Sequence, residues 1–164
     1  MILGLSIHTY TQIHTIISLI GIASGFVVVI GLLSAKRMNG WTALFLATTI
    51  ATSVTGFGFP IHKIGPPHIV GAISLVVLAI ALVARYAFHL NGTWRSIYVI
   101  TAVMALYLNV FVGVVQAFQK IPALHALAPT QKEPPFAIAQ LSVLIIFIVL
   151  GTLATRSFRR LATA

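Results

Sequence analysis

Five stretches of this chain, residues 13–33, 41–59, 67–88, 94–118 and 136–155, are almost continuously apolar and about as long as a bilayer-crossing helix. Roughly 20 mostly apolar residues cover the hydrocarbon thickness as an α-helix, and in lipid only helices and closed barrels satisfy their own backbone. The breaks carry turn chemistry: "SAKRMNG", "PIHKIGPP", "HLNGT" and "QKIPALHALAPTQKEPP". Pro66–Pro67 and Pro134–Pro135 stand where a helix start tolerates a missing N–H. The pattern predicts an all-α polytopic membrane bundle of five transmembrane helices, forming a single transmembrane helical domain over 1–164. The stretch 41–59 is the shortest and least apolar, with "TTIATSVT" inside it.

Composition agrees. The chain is 59% hydrophobic and 7% charged, against about 25% charged in ordinary soluble domains. Glu133 is its one acid, against ten Lys and Arg. The basic residues fall singly or in pairs between apolar runs and build no basic stripe, so the high charge does not imply nucleic acid. Cysteine is absent, which excludes disulfides, iron–sulfur ligation and thiol chemistry and leaves the redox compartment open. No basic residue precedes the long first run, so it reads as a retained anchor rather than a cleaved signal peptide.

Alternate connectors of a five-span chain lie on opposite sides. One side receives Lys36, Arg37, Arg85, Arg95, Arg156, Arg159 and Arg160; the other receives Lys63, Lys120, Lys132 and Glu133. Basic residues favour the cytoplasmic side, so the expected topology has the N-terminus outside and the C-terminus in the cytoplasm. Trp41 and Trp94 then anchor at the inner interface.

On that map His8, His14, His62, His68 and His125 are outside or at the outer boundary, and only His89 is inside. In the first span His14, Ser18, Gly21 and Gly25 share a helix face. Gly21 and Gly25 form a GxxxG, which lets helices approach closely. The fourth span presents Tyr98, Ala102, Ala105, Asn109, Gly113 and Gln116 on one face, and Gln140 enters the fifth near the outer boundary. His62 and His68 are about 240° apart around a helix and share no face. "FGFPIHKIGPPHIVG" is therefore first a turn. His68, in the first turn of the third helix, stands level with His14, Gln116 and Gln140.

Polar groups inside membrane spans default to functional candidates, but Asn and Gln also join helices and Ser and Thr bond back to their own backbone. No Asp or Glu lies in any span, which disfavours proton-coupled carriers. It also rules out a Ser–His–Asp triad. Calcium and magnesium need anionic oxygen cages. Copper(I) favours thiolates and thioethers, and Met1, Met38 and Met104 are far apart. Imidazole chemistry remains. His14, His68, Gln116 and Gln140 are the expected cofactor-binding residues. The expected ligand is haem b between two histidines, or a transition metal on His14, His68, His62 and His125. Without a metal, the same residues suit a quinone head group. An electron-transfer or respiratory-assembly role would follow, and no catalytic residue is assigned. The alternative is a non-catalytic accessory or homo-oligomeric bundle that binds a membrane protein partner through its small-residue faces. A small-solute channel or carrier comes third, because the inner half offers few polar groups.

"GWTALFLATTIATSVTGF", "HIVGAISLVVLAIALVARY", "ALYLNVFVGVVQAFQK" and "PALHALAPTQKEPPF" resemble uncharacterised small bacterial inner-membrane proteins, over nearly the whole chain. The resemblance implies a multi-pass protein of the bacterial inner membrane and carries no activity or residue roles. A reporter enzyme that works only on the outer side of that membrane, fused after Ala164, should be inactive. The same reporter inserted at 129, in the connector after the fourth span, should be active.

Overall fold

The computed structural model describes residues 4–59 and 66–159. All its regular elements are helices: α1 (Ile7–Leu33), α2 (Asn39–Gly56), α3 (Pro66–Leu82), α4 (Trp94–Lys120), α5 (Pro122–Leu127) and α6 (Pro134–Arg159). Four helices are long and apolar enough to cross a membrane: α1, α3 with its continuation to Ala87, α4 and α6. These four are compatible with a multi-pass membrane protein. The helix in the expected span 41–59 has 18 residues and is not among the four. Its threonines, serine and Asn39 make it too polar for that group.

Local chemistry moves several helix starts. α1 begins at Ile7 rather than residue 13, because Ser6 caps it by accepting the Thr9 N–H at 3.1 Å. α6 begins at Pro134, next to Glu133. That carboxylate accepts from Thr130 Oγ1 at 2.8 Å, Thr130 N at 3.2 Å and Lys132 N at 3.0 Å. Partial desolvation pulls the Glu133 carboxyl up, but hydrogen bonds from Thr130, Lys132 and its own backbone outweigh that and hold it below its usual range. The long connector after α4 is not all loop, since Pro122 starts the short helix α5.

α2 runs antiparallel to α1 along its whole length. Thr55 meets Tyr10 and His14, Thr49 faces Gly21, Phe45 faces Gly25, and Met38 lies against Gly31. A Cβ on Gly25 would stand 2.5 Å from Leu106 Cδ1 and 2.9 Å from Phe45 Cε2. The GxxxG face is therefore occupied within the chain, by α2 and α4, and is not free for a partner. α3 packs on α2 and α4, and Ser53 Oγ donates to Ser74 Oγ at 3.2 Å across the first contact. α6 packs on α4 and α1 through Tyr98–Phe158, Tyr107–Phe147, Phe118–Phe136 and Phe26–Phe147 ring pairs.

The two ends of the bundle differ. At the arginine end the helices enclose a solid core of Val28, Leu32, Phe45, Leu46, Leu78, Tyr98, Leu106 and Phe158. There α3 continues as one π-helical turn, Val83–Ala87, closed by Phe88 N donating to Val83 O at 3.0 Å. The turn carries Arg85 inward. Its Nη2 donates to Asn39 Oδ1 at 2.7 Å and Arg37 O at 3.3 Å, and its guanidinium lies 5.1 Å from the Tyr98 ring centroid. Arg85 was expected at the interface as a topology-setting charge; it is 8% exposed and fastens α3 to α2 and α4 instead.

Gly25→Ala should lower the stability of the detergent-solubilised protein by about 1–3 kcal/mol, the usual penalty of overpacking. Gly113→Ala, where a Cβ meets only Ile22 Cδ1 at 3.6 Å, should leave it near wild type. Thermal unfolding followed by circular dichroism makes the comparison.

Candidate functional site: a pocket at the histidine end

At the other end the helices do not close. A pocket of about 550 Å³ opens between α1, α2, α3 and α4. His14, Thr15 and Ser18 reach it from α1, Thr52 and Ser53 from α2, His68 and Ser74 from α3, and Asn109, Gln116 and Lys120 from α4. Leu19, Ile22, Phe57, Phe59, Leu108 and Val112 supply apolar wall. Small residues make the room, with Gly56, Gly71, Gly113 and Ala117 on the lining. This mixture of apolar wall and a few convergent polar groups is how small-molecule sites are built.

His14 is the best-held member. Its Nδ1 lies 2.8 Å from Thr55 Oγ1. The Thr55 hydroxyl oxygen also lies 2.6 Å from Ala51 O and 3.2 Å from Thr52 O, so its one hydrogen can go to a carbonyl of its own helix. With the Thr55 hydrogen on a carbonyl, the imidazole donates from Nδ1 and Nε2 carries the lone pair. Phe59 packs edge-on against the ring at 5.2 Å, and Tyr10 braces the same corner by donating to Thr55 O at 2.8 Å. An imidazole tied through one nitrogen to an orienting partner is the arrangement that fixes metal-ligating histidines. His68 stands beside the Phe57 ring, centroids 6.0 Å apart.

α4 provides the floor and the mouth. Asn109 is 9% exposed, and its Nδ2 has no hydrogen-bond partner. Gln116, two turns on, is exposed near the opening, and Lys120 one turn further brings a cation to the rim. Thr52 Oγ1 is also buried without a partner. By contrast Thr15 and Ser18 give their hydrogens back to α1, to Thr11 O at 2.8 Å and His14 O at 2.7 Å.

Of the expected site residues, His14, His68 and Gln116 line this one pocket. Gln140 does not; its Nε2 donates to Phe111 O at 3.2 Å, so it joins α6 to α4. Equal depth in the bundle did not place it on the same side. His125 lies on α5, with Nδ1 3.3 Å from Phe118 O, and is not on the pocket lining. His62 falls outside the described residues. Among the described residues no three His, Cys, Asp or Glu side chains are grouped to hold a metal ion. Lys120 and Thr55 were not expected at the site. Lys120 was legible as one turn beyond Gln116 on the same face, whereas nothing in the sequence pairs Thr55 with His14.

Comparison with protein-family models, with curated proteins and with solved structures found no match to this chain.

Because the chain has no cysteine, single cysteines report the pocket cleanly. Gln116→Cys should react quickly with a hydrophilic thiol reagent added to the detergent-solubilised protein. Ala105→Cys, at a fully buried position, should stay unmodified over the same period. Mass shifts of the purified proteins give the extent.

Proposed function

We propose that the protein is a five-span protein of the bacterial inner membrane, N-terminus outside, whose outward pocket would hold haem b through His14 and His68. The span count is supported by α2 lying against α1 from Met38 to Thr55, so a bilayer that contains α1 also contains α2. Three of the six hydroxyls of α2 are turned on its own carbonyls: Thr48 on Leu44 O, Ser53 on Thr49 O and Thr55 on Ala51 O. The orientation follows from the excess of basic residues at the arginine end.

The ligand reading is carried by one observation: two histidines on different helices line a single pocket, and His14 is held through Nδ1 by Thr55. A porphyrin supplies four of the iron ligands itself, so two imidazoles suffice. A bare metal ion would need a third protein ligand, which the described part of the pocket lacks. Lys120 at the rim suits the propionate groups. An electron-transfer or assembly role is the function that such a group would serve there.

A quinone head group is the second reading. Asn109 and Gln116 lie two turns apart on one face of α4, across the pocket from His14, and so offer hydrogen bonds at two separated points. Transport is disfavoured by the closed core beyond Asn109, where Phe45, Leu46 and Leu106 are buried.

Protein purified from haem-replete cells should show a Soret band that His14→Ala and His68→Ala each abolish. A colourless protein without iron would overturn the haem reading. If that colourless protein carries an extractable quinone that Asn109→Leu and Gln116→Leu remove, the second reading replaces the first.

A further inference from the structure

A second concavity, about 660 Å³, lies between α4 and α6 and shares only Leu108 with the histidine pocket. Its walls are apolar: Ile100, Met104 and Tyr107 from α4, and Leu144, Phe147 and Ile148 from α6. Thr152 and Thr155 add no free donor, because their hydroxyls bond to Ile148 O at 2.8 Å and Gly151 O at 2.7 Å. At one end of the groove stand Arg156 and Arg159. They are three residues apart on α6, so they project on one side of the helix. Both are exposed, and neither has a hydrogen bond or ion pair among the described residues. The chain's one acidic side chain, Glu133, sits before the opposite end of α6.

Charge and length together select the occupant. Two unneutralised guanidiniums at the end of an apolar groove call for an amphiphile with an anionic head. From Leu144 to Arg159 the helix rises roughly 22 Å. One leaflet of hydrocarbon is roughly 15 Å thick, so the groove covers an acyl chain and reaches head-group level. A second copy of the chain is a poor occupant, since it has the same net charge of +9 and almost no carboxylate to offer.

We propose that this groove binds an anionic phospholipid, with the phosphate between Arg156 and Arg159 and an acyl chain laid along α4 and α6. The site requires only that α4 and α6 lie in the bilayer, and it does not depend on what the histidine pocket holds. It would fix the lipid against the least buried of the spanning helices.

Native mass spectrometry of the full chain in detergent micelles tests this with phosphatidylglycerol and phosphatidylcholine of identical acyl chains. The wild-type protein should retain phosphatidylglycerol with about a 30-fold preference, the effect of two basic residues near a head group. Arg156→Gln with Arg159→Gln should reduce that preference to near parity. Lys36→Gln with Arg37→Gln removes equal charge elsewhere and should leave it intact. Thr152→Trp, at an exposed groove position, should lower retention of both lipids. Equal retention by the wild type would overturn the proposal. So would a preference that survives the paired arginine substitutions, one that the Lys36 and Arg37 pair also abolishes, or a groove covered by a second copy in a stable dimer.

Discussion

The close approach of α1 to α2 and α4 at Gly21 and Gly25 sets the position of everything at the histidine end. A Cβ on Gly21 would meet Asn109 Nδ2 at 3.1 Å, Thr49 Oγ1 at 3.2 Å and Thr48 Oγ1 at 3.3 Å. At Gly25 the neighbours are Leu106 and Phe45. With two glycines fixing the helix pair in depth, the register of α1 on α2 has little freedom. Eleven residues before Gly25, on the same face, His14 is therefore delivered to Thr55. Without a hydrophobic driving force between helices in lipid, such close van der Waals contact is a main source of association.

Scarcity of carboxylates is the second organising fact. Every cation must be neutralised by carbonyls, rings, water or something outside the chain. Arg85 uses the first two, and the π-helical turn at Val83–Ala87 aims it at them. One of its nitrogens, Nη1, still has no partner, so the arrangement is a costly way to join three helices. Arg156 and Arg159 make no such internal arrangement, and both are exposed at the end of α6. The difference between a structural and an available arginine is thus one of backbone geometry, not of residue type.

Hydrophobic run lengths made the helices legible, because a 20-residue apolar stretch has few other uses. The faces were legible too: His14, Gly21 and Gly25 do share one side of α1, and Asn109, Gly113 and Gln116 line the pocket from α4. Periodicity gives a direction around each helix and a depth along it. It does not say which neighbour lies in that direction. Gln140 was therefore grouped with residues at its depth although it faces Phe111 on another side of the bundle. The GxxxG was read as a point of close helix approach, and periodicity did not say that the helices approached are the chain's own α2 and α4. The π-helical turn has no periodic signature at all, and Arg85 looked like an ordinary interfacial charge.

The hydrogen inventory of the pocket narrows what can occupy it. The serine and threonine hydroxyls of α1 give their hydrogens to carbonyls one turn back, so they present only lone pairs. Asn109, Gln116 and Lys120 retain N–H groups able to donate, and all three belong to α4. His14 lines the pocket from α1, tied through Nδ1 to Thr55. On the lining α4 offers N–H donors beside its amide oxygens, α1 offers lone pairs and an imidazole, and Thr52 on α2 keeps a hydroxyl without a partner. Carboxylate or carbonyl oxygens on an occupant would meet the α4 donors. A purely aliphatic lipid tail has neither, and it would leave the buried Asn109 Nδ2 unpaired at the floor. A buried amide kept without a partner costs about 1–3 kcal/mol. A hydrogen-bonding occupant, water included, removes that cost at the open end of the bundle.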